Sequence, residues 1–290
     1  MAEALTGDPV VLVLGASTAI GQSFLRRVGE RGGLQLLAVS RGRPERSAAG
    51  ITWLQHDLSA GPVPAMAGAL VSFGPVGLAL RQFEATPGVG RVLVLSSAST
   101  EFKGDSVDQA ERAQMAAIGS TEARLSALCA ERGVGLSLFK TTMIYGGGGD
   151  ANVSRLAGLT ARLPIVPLAG NGLRQPVHAD DLAELALRVL ALDQRSFGTW
   201  LLGGGETLDY RAMLRRIASA QGRRTRILGV PVGLLKLGLA CAHALGRLRD
   251  VRPVMLERQA VDLVVDDQPA RECLGWNPRP FRPEACLGTS

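Results

Sequence analysis

Gly15 directly follows an all-apolar run, Val10–Leu14, and Gly21 lies six residues on, among Ile20, Phe24 and Val28 at helical spacing. A strand that ends in a glycine turn and feeds a helix offers free backbone N–H groups and the positive end of a helix dipole. That chemistry suits a pyrophosphate. The first glycine allows a tight turn, and a later one lets helix and strand pack closely. Between them, Thr18 takes the middle place of G-x-x-G-x-x-G. Its hydroxyl can donate to phosphate, while its side chain limits close approach. Further on, the second strand ends in Ser40-Arg41-Gly42-Arg43. An acidic residue there would hold the ribose 2′-hydroxyl of NAD. An arginine beside a serine suits the 2′-phosphate of NADP, so NADP is expected, with NAD possible. Asp57, after the third strand, fits either an adenine contact or a turn aspartate. The residues assigned to the cofactor are Gly15, Ser17, Thr18, Ala19, Ile20, Gly21, Ser40, Arg41, Asp57, Leu58, Ser72 and Gly74.

The elements that must position these groups alternate. Strands are expected at Val10–Leu14, Leu34–Val39, Ile51–Leu54, Ala69–Phe73, Arg91–Leu95, Leu136–Phe139 and Thr199–Leu202. Short all-apolar runs are what a strand covered on both faces requires. Gly61–Pro64 is proline-rich, so the crossover to the fourth strand is read as a loop. A short helix is expected at Val76–Glu84 and a long one at Asp108–Arg132. On the long helix, Met115, Ile118, Leu125 and Cys129 share one face with Glu122, a carboxylate that must find a partner there. This pattern predicts a doubly wound parallel α/β sheet of the Rossmann type with right-handed crossovers. The second half is less regular. Helices are expected at Asn152–Leu163, Asp181–Leu192, Tyr210–Gln221 and Pro231–Leu245, with Leu173–Val177 extended, a short strand at Leu263–Val265 and a packed aromatic-proline tail around Trp276 and Phe281.

Composition narrows the function. The 290 residues carry a net charge of +6. The excess is almost all arginine, since Lys103, Lys140 and Lys236 are the only lysines. No dense basic run or basic-aromatic alternation appears, so a nucleic-acid partner is not expected. The four cysteines are widely spaced and only three histidines are present, which leaves no zinc pattern. A reducing, cytoplasmic setting is expected, and the polar, acidic N-terminus does not read as a secretory signal. Ile227–Leu245 is apolar but contains Pro231, Lys236 and His243. It reads as a buried or surface-lying helix rather than a membrane span, and membrane contact is not expected. Gly-x-Ser-x-Gly is absent, so nucleophile catalysis has little support.

"LGASTAIG", "RVLVLSSAST", "TMIYGGG", "RQPVHADDLAELAL" and "LGGGETLDYRAML" together resemble the short-chain dehydrogenase/reductase superfamily, in its extended or atypical epimerase/dehydratase branch. The resemblance spans most of the chain. It implies an NAD(P)-binding domain over residues 1–145 and 178–202, and a smaller, mostly helical substrate lobe over 146–177 and 203–290. It also implies a small polar or nucleotide-linked substrate. Ser97 matches the family's serine or threonine that hydrogen-bonds the reacting oxygen, and Tyr145 matches a tyrosine that packs beside the pocket. The chain departs from the family at its centre. The family's acid/base pair, Tyr-x-x-x-Lys on the long helix, occurs nowhere. The chain has two tyrosines, Tyr145 and Tyr210, followed four residues later by Gly149 and Leu214. If Glu122 aligns with the glutamate that often follows the lysine, Gln114 and Ile118 stand in the tyrosine and lysine places. Neither can titrate.

The expected catalytic set is therefore Ser97 with Lys103 or Tyr145 as proton donor. A lysine becomes an acid/base when burial lowers its pKa. Asn152, Arg174, Gln175 and His178 are expected toward the substrate. Two readings stay open: an NADP-dependent oxidoreductase or epimerase/dehydratase-like enzyme, and a nucleotide-binding sensor or assembly partner without turnover. The sequence sets neither the substrate nor the oligomeric state.

Overall fold

The computed structural model describes residues 10–42, 49–102, 104, 107–147, 152–192, 194–246 and 252–283. The elements run β1 (Val11–Leu14), α1 (Ala19–Arg31), β2 (Leu36–Ser40), β3 (Ile51–Gln55), β4 (Ala69–Ser72), α2 (Val76–Ala85) and β5 (Arg91–Ser97). They continue with α3 (Ser99–Phe102), α4 (Gln109–Glu131), β6 (Gly135–Thr141), β7 (Ile144–Tyr145), α5 (Val153–Arg162), β8 (Ile165–Leu168), β9 (Leu173–Arg174) and β10 (Val177–His178). The last are α6 (Ala179–Ala191), β11 (Gly198–Leu202), β12 (Leu208–Asp209), α7 (Tyr210–Ala220), β13 (Arg226–Gly229), α8 (Val232–Ala244), α9 (Pro253–Glu257) and α10 (Gln268–Leu274).

Seven strands form one sheet in the order β11-β6-β5-β4-β1-β2-β3, and every pairing is parallel. All four residues of β1 are buried, because helices cover both faces. One core joins α1, α6 and α10 to the sheet through Phe24, Val28, Leu182, Leu185 and Leu274. The other packs α2 and α4 on the opposite face through Leu80, Phe83, Leu125 and Cys129. Arg27 and Arg31 of α1 grip Glu184 of α6, each at 2.8 Å. The chain builds outward from β1 to β3, then crosses to β4 on the other side of β1. Strand order reverses there, and that switch point opens the crevice in which such sheets bind ligands.

The remaining elements make smaller units: β7 with β10, β9 with β12, and β8 with β13. Tyr145, Val153, Met213, Ile217 and Phe281 form a third apolar cluster, and Val166, Leu168 and Leu214 a fourth. One expectation changes. Leu263–Val265 is not a strand: Leu263 makes only an isolated bridge to Arg174. After α10, which is capped by a left-handed Gly275, the tail packs without a helix: Trp276 and Phe281 are buried, and Trp276 donates to the Gly203 carbonyl at 3.0 Å. Among the described residues no helix is long and apolar enough to cross a membrane.

Candidate functional site

Gly15 has φ +70°, and a Cβ there would lie 2.8 Å from the Gly74 nitrogen across the switch point. At Gly21 a Cβ would stand 2.3 Å from the Gly15 carbonyl oxygen. Both contacts are with backbone, so the turn closes only with glycine at these places. Thr18 caps α1: its hydroxyl accepts from the Gly21 N–H at 3.0 Å and donates to the Gly15 carbonyl at 2.8 Å. The threonine hydroxyl proton is thus committed to holding the turn. The N–H groups of Ala19 and Ile20, in the first turn of α1, have no intrahelical acceptor and lie at the positive end of the helix. Ser17 is exposed beside them. This cradle fits a pyrophosphate.

At the neighbouring strand ends, Ser40 is buried and donates to the Gly42 carbonyl, while Arg41 is exposed. The Arg41 carbonyl accepts from Gln55 Nε2 at 3.0 Å, which ties the β2 and β3 ends together. Asp57 accepts from the Ser59 N–H at 2.9 Å. That bond, with smaller help from Arg41 and His56, holds its carboxyl below the ordinary aspartate value. Leu58 packs against the α2/α4 core. Ser72 ends β4 fully buried, with a hydroxyl that has no hydrogen-bond partner.

Next to this crevice lies a cleft of about 330 Å³, lined by the turn after β4 (Gly74 to Gly77), the end of β5 (Leu95, Ser96, Ser97) and Ile118 and Thr121 of α4. Its size lies within the range of small-molecule pockets. The Ser97 hydroxyl accepts from the Ser99 N–H at 3.1 Å. Ile118 forms part of the wall. Behind the wall stands the partner that Glu122 requires. Lys140 lies directly across from Ser96 in the β5–β6 register. Its ammonium meets Glu122 Oε2 at 2.9 Å and Glu101 Oε1 at 2.6 Å, and Ser96 donates to the other Glu122 oxygen. Burial would lower the Lys140 pKa, but the bonds to Glu101 and Glu122 outweigh it and hold the ammonium above its ordinary value.

The other expected residues are dispersed. Tyr145 is fully buried in the third cluster. Its hydroxyl donates to the Pro280 carbonyl at 3.4 Å and accepts from the Arg282 N–H at 3.1 Å. Arg174 is buried and donates to the carbonyls of Leu173, Val261 and Arg258 at 2.6–2.7 Å. Its guanidinium also lies 5.0 Å over the Tyr210 ring. Gln175 Oε1 accepts from the Val265 N–H at 2.8 Å. Asn152 stands at the N-cap position of α5. His178 caps α6, accepting from the Asp180 N–H at 3.1 Å, and packs edge-on to Tyr145 with ring centroids 5.0 Å apart. Lys103 lies outside the described residues. Burial pushes the Cys129 thiol up to about 11, which removes it as a nucleophile. Among the described residues no cluster could hold a metal ion. Lys140 is the residue that sequence reasoning missed. The signal was the partner demanded by Glu122, but which lysine answers it depends on strand register.

No family model matches the chain. UDP-glucose 4-epimerase from Vibrio cholerae is 26% identical over 160 residues, which cover 54% of this chain and 46% of that protein. The aligned stretch is thus less than half of that relative's length. UDP-glucuronic acid 4-epimerase from Bacillus cereus, solved with NAD, superposes with a TM-score of 0.69 at 10% identity, covering 96% of this chain and 94% of its own. MoeE5, solved with UDP-glucose and NAD, gives 0.65 at 20% identity, with 95% of each chain covered. The chain thus has the fold of these solved epimerase structures, and over about half of its length it is similar in sequence to the Vibrio cholerae UDP-glucose 4-epimerase.

Proposed function

We propose that this chain binds NADP, or NAD, across its glycine turn and acts as an oxidoreductase or epimerase/dehydratase-like enzyme on a nucleotide-linked substrate. The observation that carries this reading is the backbone closure at Gly15 and Gly21, set at the switch point beside an open cleft. UDP-sugars in the related proteins support the substrate class. When bound, the dinucleotide supplies a hydride acceptor and donor at nicotinamide C4. The chain's own groups would do the rest. Arg41, exposed at the end of β2, reads the 2′-phosphate, and Ser97 holds the reacting oxygen. Lys103 is the proton carrier this reading keeps, because the Tyr145 hydroxyl is buried against Pro280 and Arg282. General acid–base help is worth roughly 10²–10⁴-fold. A chain with no Tyr-x-x-x-Lys is therefore expected to turn over slowly.

A second reading has its own support. Among the described residues, no side chain lining the cleft titrates near neutrality, and both tyrosines belong to the apolar packing outside the main sheet. This favours a nucleotide-binding sensor without turnover. Titration with NADPH and NADH, followed by fluorescence, tests binding. UDP-glucose and UDP-glucuronic acid, assayed for cofactor reduction and for epimer formation, test turnover. Turnover lost in Ser97→Ala supports the enzyme. Tight binding with no turnover supports the sensor. No binding of either nucleotide at millimolar concentration overturns both.

A further inference from the structure

We propose that α8 and the arginines preceding it dock this chain onto an anionic lipid surface, by partial insertion rather than spanning. This departs from the sequence expectation, and the orientation of α8 is the reason. Leu234, Leu237, Cys241 and Leu245 fall on one stripe at helical spacing, and all are exposed, with Leu234 at 62%, Leu237 at 63% and Leu245 at 76%. Leu239, on the opposite side, is the one fully buried residue of the helix. Lys236 turns away from the leucine stripe and pairs with Glu257 of α9. The helix thus packs through Leu239 and half-buried Leu235, and a second leucine stripe faces water. Leu228, at 57% exposure on β13, extends the apolar surface toward the start of the helix. Contiguous exposed apolar surface of this kind marks an interaction site.

Charge selects the occupant. Between Asp209 and Asp250 the chain has nine arginines and lysines and no carboxylate, more than its whole net charge of +6. Arg223, Arg224 and Arg226 lead into β13 and α8 and are exposed, and no described carboxylate pairs with them. An apolar helix flanked by unpaired arginines matches the boundary between acyl chains and anionic headgroups. A second copy of this chain is a poor match. A two-fold interface through α8 would bring the arginine segments of both copies toward each other. Nucleic acid fits less well still, because Leu228–Leu245 holds no Phe, Tyr or Trp for stacking.

Sedimentation of the full chain with lipid vesicles tests this. One set is phosphatidylcholine alone, and the other contains about a third phosphatidylglycerol. Wild type is expected to pellet with the anionic vesicles only. Partitioning should fall about fivefold for each of Arg223, Arg224 and Arg226 replaced by serine. It should fall more than about tenfold in Leu234→Ser/Leu237→Ser. Circular dichroism melts report whether the variants fold. If the leucine variant does not, the salt response of wild type decides, because headgroup attraction is lost at about 0.5 M salt. Absence of wild-type binding to anionic vesicles, equal binding to both lipids, or unchanged binding by folded variants overturns the proposal. So does a stable wild-type dimer, seen by light scattering, that the leucine variant abolishes while vesicle binding is absent.

Discussion

On the β1 side of the crevice the recognition surface is backbone: a left-handed Gly15, a Gly21 pressed against its carbonyl, and the amide end of α1 capped by Thr18. On the β5 side the surface is side chains: Ile118 and Thr121 line the cleft, and Lys140 of β6 is locked between Glu101 and Glu122. Binding that depends on backbone geometry persists as long as two glycines do. Chemistry that depends on a titrating pair changes with two side chains and leaves the fold intact.

The β5 side is the easier to break by stability. Lys140→Met leaves Glu122 buried with no cation beside it. Removing one member of a buried pair costs about 3–5 kcal/mol, so denaturant unfolding should show a loss of that size. Lys140→Met/Glu122→Gln should recover most of it, because a neutral amide carries no stranded charge. If the single variant loses less than about 1 kcal/mol, the pair behaves as a surface contact and the triad is not a structural lock. The β1 side should break differently. Gly21→Ala forces a Cβ into the Gly15 carbonyl, an overpacking that costs about 3 kcal/mol at the upper end of the usual range, and nucleotide binding should vanish with the turn. Gly158→Ala on α5 is the control, since a Cβ there meets nothing within 4 Å and the residue lies outside the glycine turn and the cleft lining. Equal effects of the two alanines on NADPH affinity would sink the backbone account.

The same contrast governs what could be read from the sequence. β1, β2, β4 and β5 were legible because strands covered on both faces must be continuously apolar, and Val11–Leu14 or Val92–Leu95 admit little else. The glycine turn was legible because its residue types are forced by backbone contact. The pairs β7–β10, β9–β12 and β8–β13 were not. Two to four residues carry no readable period, and their partners lie far along the chain. Lys140 was invisible for a related reason. Glu122 announced a missing cation, but only the register that sets Ser96 beside Lys140 says which one answers. The outward face of α8 was also hidden, since an apolar helix reads alike whether buried or exposed.

A substitution at Arg41 sharpens the comparison without touching the fold, because the side chain is exposed. A charge-assisted hydrogen bond contributes about 1.5–3 kcal/mol. Arg41→Ala should therefore weaken NADPH by about 10- to 100-fold relative to NADH, with the melting temperature unchanged. Equal losses for both nucleotides would assign Arg41 to the shared part of the cofactor and remove the case for NADP.

The smallest effect is a pH dependence at His178. The ring is buried, with Asp180, Asp181, Arg27 and Arg279 as the charged groups around it. Burial lowers its pKa most, and Arg279 adds to the lowering against the pull of Asp180 and Asp181. In the unfolded chain a histidine titrates near pH 6.5. The unfolded state therefore takes up the proton first as pH falls. The stability that neutral His178 supports is present above about pH 6.5 and drains away as pH drops toward the folded pKa, with a slope of at most about 1.4 kcal/mol per pH unit. His178→Asn keeps a helix cap at α6 but cannot titrate. Urea unfolding of both forms from pH 7.5 downward should show the wild-type stability falling more steeply. Parallel curves would mean that the folded protein protonates His178 as readily as the unfolded chain does. The ring would then serve as a cap alone, with no part in the acid sensitivity of the junction where Tyr145 and α6 meet.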